Sequence, residues 1–216
     1  MSTRGNAELI AEAEALTGRF LQAKTVEEML PLVRDPATAE KRMRDFYQKD
    51  GVQPPGLSRF NPDGGFSVKG KLVSVNVVTR DFDTKAMAFA ETLQGLKIDW
   101  ESWVGWSEMP WEDFRSKKPA EGYVFRVNLS PVVYYNFGFA DESKWKSYRI
   151  ESPDKEHSVY GYVEKGSMLE ERLRFDADTK KKTLTLSLKF PTGAEKDNQV
   201  VIDRFVNEGW VDEIAP

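Results

Sequence analysis

The stretch from Gly51 to Gly65, GVQPPGLSRFNPDGG, constrains the fold of this chain more than any other segment. Proline and glycine interrupt regular helices and strands, so this stretch separates two kinds of structure. Apolar residues recur at helical spacing before it and alternate with a period of two after it. We therefore predict an α+β fold, with an N-terminal helical layer over residues 1–50, a connection over residues 51–65 and an antiparallel sheet over residues 66–216.

The chain length favours one elaborated domain. The chain has 216 residues, which is long for one domain and short for two. A helical layer of the predicted size would be marginal by itself. Aromatic residues make up 12% of the sequence, enough to supply a packed core and to exclude a disordered chain.

Three helices are predicted before the connection. The first covers residues 6–24, where apolar residues form one stripe. The second begins after Thr25, the predicted N-cap, because Thr25 and Glu28 have the spacing of a capping box. The third begins at Asp35–Pro36, a residue pair typical of a helix start.

After the connection, alternation predicts a series of strands that pack against these helices as a curved antiparallel sheet. They cover residues 72–78, 85–93, 96–100, 123–129, 133–139, 145–150, 158–163 and 183–190. A helix is predicted on each side of the last strand, one after the capping-box pair Ser167 and Glu170 and one over residues 197–208. The C-terminal part is thus predicted to be a helix–strand–helix extension.

Charge and composition exclude several function classes. The net charge is −4 and no strongly basic stretch is present, so we expect no nucleic-acid partner. The chain has no cysteine, which excludes disulfides, thiolate catalysis and cysteine-based zinc sites. His157 is the single histidine and lies in a charged turn, so we assign it no catalytic role and expect no metal or other cofactor. Nucleotide-binding and common hydrolase motifs are not present in the sequence.

Membrane signals are weak in this chain. No apolar run approaches the ~20 residues that a membrane span needs. The first residues, MSTRGNAELIAEAEAL, lack the apolar region of a signal peptide. We expect a soluble chain, either cytoplasmic or exposed from a membrane anchor that this chain does not contain.

The segment from Asp99 to Phe114, DWESWVGWSEMPWEDF, holds four of the six tryptophans. Most of its aromatic residues are explained by burial, but Trp103 and Trp106 flank a glycine and fall outside the strand alternation. Flat side chains beside carboxylates can bind a cation, a sugar or a peptide. We therefore predict a ligand-binding groove formed by Trp103, Trp106, Asp99 and Glu101. A solvent-facing position for the two acids is the alternative.

A catalytic alternative combines one of these acids, Asp99, with a tyrosine. A carboxylate in an apolar pocket can act as a general base, and Asp99 is the best placed for this. Tyr135 would then donate a hydrogen bond to a developing oxyanion. Tyr134 and Tyr135 are adjacent, so on a strand one ring would be buried and the other would face a cavity or a neighbouring strand.

Two stretches carry a resemblance to known sequences: FLQAKTVEEMLPLVRDPATAEKRMRDFYQ and KIDWESWVGWSEMPWEDF. They resemble a family of uncharacterised bacterial proteins of planctomycetes and verrucomicrobia. The resemblance implies a soluble domain that follows a short membrane anchor, with no established activity and no catalytic residues. The order of helices and then sheet also resembles the NTF2-like (cystatin-like) cone, although the predicted C-terminal extension departs from it.

Three functional hypotheses follow. The first is a non-catalytic binding or protein-interaction domain of a bacterial protein, associated with the cell envelope, whose partner is a protein or a small molecule. The second is a small NTF2-like isomerase or dehydratase with Asp99 as base. The third is a structural domain that joins subunits, such as those of a homo-oligomer. No catalytic motif favours the enzyme.

Overall fold

A computed structural model describes residues 4–212 and confirms the α+β fold. The helices are α1 (Asn6–Gln22), α2 (Val26–Met29), α3 (Pro36–Phe46), α4 (Trp100–Val104), α5 (Trp111–Lys117) and α6 (Met168–Arg172). The strands are β1 (Leu57–Lys69), β2 (Leu72–Thr79), β3 (Thr84–Thr92), β4 (Gly95–Ile98), β5 (Tyr123–Pro131), β6 (Trp145–Glu151), β7 (Ser158–Glu164), β8 (Lys182–Lys189) and β9 (Gln199–Glu208). These elements divide between two compact units, residues 4–104 and residues 105–212.

The first unit contains the three predicted helices. The stripe on α1 is buried, and its residues are Leu9, Ala13, Leu16 and Phe20. Thr25 caps α2 by accepting a hydrogen bond from the amide of Glu28 at 3.2 Å. The start of α3 differs from the prediction: Asp35 has a left-handed backbone (φ 47°) and makes no side-chain cap, so its carbonyl oxygen alone starts the helix.

The sheet of the first unit is antiparallel, with strand order β1-β2-β3-β4. Strand β1 begins at Leu57, so only the first part of the predicted 51–65 connection lies outside the sheet. Pro62 and the glycines after it are accommodated by a register shift between Asn61 and Phe66. At the other side of the sheet, Val33 forms a parallel bridge with Ile98.

Strand β4 ends earlier than the alternation of apolar residues predicts. Trp100 is buried as expected, but it is the first residue of α4 rather than part of the strand. The reason is Asp99, whose Oδ1 accepts a hydrogen bond from the amide of Ser102 at 2.8 Å and starts the helix. The prediction of a strand over residues 96–100 was therefore wrong at its end.

The second unit is built on a closed five-stranded barrel with the order β5-β6-β7-β9-β8. Its neighbouring strands are antiparallel except β7 and β9, which are parallel. The inward side chains form one apolar core with the aromatic residues of α5. The sheet predicted over residues 66–216 is thus two separate sheets.

The predicted C-terminal helix over residues 197–208 is wrong, and with it the helix–strand–helix extension. These residues form β9, which pairs with both β7 and β8 and closes the barrel. Two register shifts in the pairing with β8 add extra residues to β9. They place Ile202 and Phe205 three residues apart opposite Leu188 and Leu186, a spacing that imitates a helix.

The predicted strand over residues 133–139 is also absent from the described structure. Strand β5 ends at Pro131, and the following chain is irregular up to a single 3₁₀ turn at Phe137–Phe139. Phe137 has a left-handed backbone (φ 52°), which interrupts the extended conformation of a strand. Alternating aromatic residues here reflect contacts of individual rings rather than a pleated strand.

Candidate functional site

Asp99 lies at the junction of β4 and α4 and its side chain is fully buried. Its Oδ1 caps α4, and its Oδ2 lies 2.6 Å from Nε of Arg34, in an orientation that makes an ion pair rather than an aligned hydrogen bond. Arg34 is held in place because its amide donates to the carbonyl oxygen of Ile98 at 2.9 Å. Both carboxylate oxygens therefore have structural roles inside the first unit.

Glu101, two residues further on, also forms an ion pair with an arginine. Its side chain is 8% exposed, and its Oε1 accepts a hydrogen bond from Arg42 Nη1 at 3.1 Å. The Arg42 side chain is 34% exposed, so this second ion pair remains in contact with water. The two acids of the predicted groove thus face arginines from the helical layer.

Trp100 packs against the C-terminal end of α3. Its Nε1 donates to Oη of Tyr47 at 3.2 Å, and its ring meets Phe46 edge-to-face at 5.5 Å. Burial raises the pKa of Tyr47, and the hydrogen bond from Trp100 opposes that shift. Trp100 is therefore a core residue with a satisfied polar atom.

Trp103 lines an open cleft of about 280 Å³ in the first unit. We call it the Trp103 cleft and define it by its lining residues, which are Phe20, Leu21, Ala23, Met29, Phe46, Tyr47, Val52, Gln53, Pro54, Pro55, Thr79, Asp81, Asp83, Lys85, Trp103 and Val104. The indole packs edge-to-face on Phe20 at 6.5 Å. Neither Asp99 nor Glu101 lines this cleft, so the acids beside Trp103 are not those expected from the sequence.

The acids of the cleft come from the turn between β2 and β3. Thr79 Oγ1 donates to Asp81 Oδ1 at 2.5 Å, and the Thr79 amide donates to the carbonyl oxygen of Asp83 at 3.0 Å. The hydrogen bond from Thr79 is the largest cause that lowers the pKa of Asp81. Between the two acids, Phe82 has φ 66° and is 81% exposed. The turn is thus fixed by hydrogen bonds and projects an aromatic ring.

Lys85 occupies the space over the indole. Its Nζ lies 5.6 Å from the centroid of the Trp103 ring and 3.3 Å from Asp83 Oδ2. The side chains of Lys85 and Asp83 are each 52% exposed. The arrangement is a cation–π contact with a carboxylate beside it.

Trp106 belongs to the second unit, whereas the other residues of the predicted groove belong to the first. Its carbonyl oxygen accepts a hydrogen bond at 3.0 Å from Arg126, a residue only 2% exposed. The same guanidinium donates to the carbonyl oxygen of Trp210 at 2.7 Å and lies 3.3 Å from Asp212. Arg126 thus fastens segments before and after the barrel to β5.

Tyr135 also lies in the second unit, in the irregular chain after β5. Its neighbour Tyr134 stacks face to face on Tyr160 of β7, with centroids 3.8 Å apart. Phe139 stacks in the same way on Tyr162, at 3.9 Å. The two rings of β7 are therefore covered by this irregular segment, and the expected strand–strand pairing of Tyr134 or Tyr135 does not occur.

His157 is less exposed than its charged surroundings indicate. Its ring stacks on Trp111 at 6.0 Å, and its Nε2 lies 3.2 Å from Glu112. The side chain is 19% exposed. These contacts fix α5 against the turn between β6 and β7.

Sequence reasoning missed the turn residues Asp81, Phe82 and Asp83, together with Lys85. The letters TRDFDTK could have indicated them, because they place an aromatic residue between two acids in the connection between two predicted strands. Residues that bind a ligand or partner are often found in such loops. The pairing of Asp99 with Arg34 had no such signal, because 65 positions separate two residues whose contact depends on tertiary folding.

Comparison of the chain with protein-family models, with curated proteins and with solved structures finds no match. Within residues 4–212, no helix combines the length and apolar character that crossing a membrane requires. The class that the fold defines is an α+β protein, with a helix-covered sheet in one unit and a barrel in the other.

Proposed function

We propose that this chain is a non-catalytic binding protein and that the Trp103 cleft is its binding site. One observation carries the proposal: a partly exposed indole and two turn carboxylates meet at an open cleft that is also lined by apolar side chains. Binding sites combine an apolar lining with a few polar groups that fix orientation. The exposed Phe82 beside the cleft adds contact area for a partner.

The catalytic alternative receives less support from the geometry. A general base must reach its substrate, but Asp99 is fully buried, ion-paired and engaged in capping α4. For these reasons we do not retain the isomerase or dehydratase hypothesis as the leading function.

The finer expectations from the sequence stand as part of the same proposal. In the first unit, three helices precede a four-stranded antiparallel sheet, which supports an NTF2-like classification of that unit. We propose a bacterial protein associated with the envelope on the resemblance described above. A protein partner and a small molecule both fit a cleft of this size.

The binding proposal is tested by ¹⁹F NMR on protein labelled with 5-fluorotryptophan. The six tryptophans give six resonances, and the Trp103→Phe variant assigns one of them. Four simple probes would be titrated: tetramethylammonium chloride, sodium acetate, N-acetylglucosamine and benzyl alcohol. We expect at least one probe to shift the Trp103 resonance with saturation.

The matched control is Trp106→Phe, because Trp106 does not line the cleft. This variant should give the same titration curve as the unchanged protein. A Trp103 resonance that no probe moves would contradict the proposal. Loss of the Trp103 response in Trp106→Phe would contradict the assignment of the binding site to this cleft.

A further inference from the structure

The Trp103 ring already contacts a positive charge of the chain itself. Lys85 Nζ lies 5.6 Å from the ring centroid, within the range of a cation–π interaction. Asp83 Oδ2 lies 3.3 Å from the same nitrogen. Because both charged side chains are half exposed, the lysine stem can leave the ring without unfolding the cleft.

The charges around the cleft favour a cation in this position. Of the described residues that line it, Asp81 and Asp83 are acidic and Lys85 is basic. Displacement of the Lys85 ammonium would therefore leave two carboxylates facing the ligand. The hydrogen bond from Thr79 lowers the pKa of Asp81, so this carboxylate is ionised at neutral pH.

The apolar part of the cleft can contact the uncharged part of a cationic ligand. Phe20, Leu21 and Met29 are buried side chains that line the cleft, and the exposed residues Pro54 and Pro55 line it as well. An alkyl stem can lie against this surface while its charged end meets the indole. Anionic ligands would face two like charges instead.

We propose that the Trp103 cleft takes an ammonium or quaternary ammonium group on an alkyl stem, which displaces the Lys85 ammonium from the indole. This inference rests on the proposed function of the cleft as a binding site. The shared chemistry is found in a lysine side chain, in a methylated lysine side chain and in free quaternary amines. Lys85 acts as an internal competitor that any such ligand must replace.

The test uses the same ¹⁹F resonance of Trp103 and three matched probes. They are Nα-acetyl-lysine methylamide, its Nε-trimethylated form and the uncharged norleucine analogue of equal backbone. Tetramethylammonium is the fourth probe and represents a free quaternary amine. We expect saturable shifts with the charged probes and no saturation with norleucine. A stronger response to the trimethylated form than to tetramethylammonium would identify the stem as part of the ligand, and the reverse order would favour free quaternary amines.

Variants test the role of the resident lysine. Lys85→Met keeps the apolar stem but removes the competing charge, so the affinity for the charged probes should rise about fivefold, the size of one exposed cation–π contact. The control is Lys69→Met, an exposed position on β1 outside the cleft, which should leave the affinity unchanged. Asp83→Asn should weaken binding, because it removes one of the two carboxylates.

The outcomes separate this inference from the proposed function. Equal binding of norleucine and the lysine probe would overturn charge selection and leave the cleft as a binding site. Weaker binding of the lysine probe in Lys85→Met would overturn displacement, since the lysine would then be helping the ligand. If none of the probes, charged or neutral, moves the Trp103 resonance, both proposals are wrong.

Discussion

The ion pair between Asp99 and Arg34 gives the sharpest stability prediction. In Asp99→Asn the shape is conserved and the cap of α4 remains, because asparagine caps helices as well as aspartate does. The change therefore isolates the charge. Removing one partner of a buried ion pair costs about 3–5 kcal/mol in general, because a buried charge loses a counter-charge.

The structure places the expected cost near the lower end of that range. Arg34 keeps 11% exposure of its side chain, so water can partly solvate its charge after the substitution. We expect the free energy of unfolding of the first unit to fall by about 3 kcal/mol. Glu101→Gln is the matched control, and because Arg42 is 34% exposed we expect a loss of about 1 kcal/mol or less.

The assay is urea unfolding followed through the ¹⁹F resonances of Trp100 and Trp103, which both lie in the first unit. A local probe is needed because a chain with two compact units need not unfold in a single transition. The double variant Asp99→Asn/Arg34→Met should lose less than the sum of the two single variants. Equal losses in Asp99→Asn and Glu101→Gln would refute the reasoning that burial of the arginine decides the cost.

Three further predictions concern the core of each unit. Trp100→Ala should destabilise the first unit by about 3–5 kcal/mol, measured by the same urea titration through Trp103, and a loss below about 1 kcal/mol would show that the side chain is not core. Gly161→Ala should destabilise the barrel by about 1–3 kcal/mol, because the new Cβ would collide with core side chains inside it, whereas Gly138→Ala meets nothing within 4 Å and should be nearly neutral by thermal unfolding. Burial raises the pKa of Tyr148 and of Tyr162 to about 12, above the usual value of 10.0, so the unfolded chain releases these protons first and the stability of the second unit should fall as the pH rises from 10 towards 12. Urea midpoints of the second unit measured across that interval should fall less steeply with pH in Tyr148→Phe/Tyr162→Phe. An unchanged slope would contradict the attribution of the pH dependence to these two tyrosines.

Local sequence patterns predicted the parts of the fold that depend on neighbouring residues. The stripe of α1 and the caps at Thr25 and Ser167 are confirmed, because each depends on residues within a few positions. Strands β2 and β8 are confirmed for the same reason, since alternation is a local signal. Capping and alternation thus carried most of the correct assignments.

The errors arose where tertiary structure decided the outcome. Strand β9 was predicted as a helix because two register shifts gave its apolar residues a helical spacing. The division into a sheet and a barrel depends on strand pairing across long separations, such as that of Tyr123 with Leu188, which one sequence does not reveal. Trp103, a residue of the predicted site, does line a cleft. The arginine partners of Asp99 and Glu101 are distant in sequence, so the local pattern did not indicate them.

The edge strands of the sheet in the first unit bear on whether two molecules can associate through their sheets. An open sheet presents backbone groups at its two outer strands, and another molecule can pair with them. Strand β4 is only four residues long, and the bridge from Val33 to Ile98 already occupies part of it.

Strand β1 is long, but Pro62 and the irregular pairing between Asn61 and Phe66 interrupt it midway. A strand of another molecule would therefore find one sheet edge, β4, partly paired already and the other edge, β1, interrupted. The sheet of the first unit thus offers only a short or interrupted edge to a strand of a second molecule.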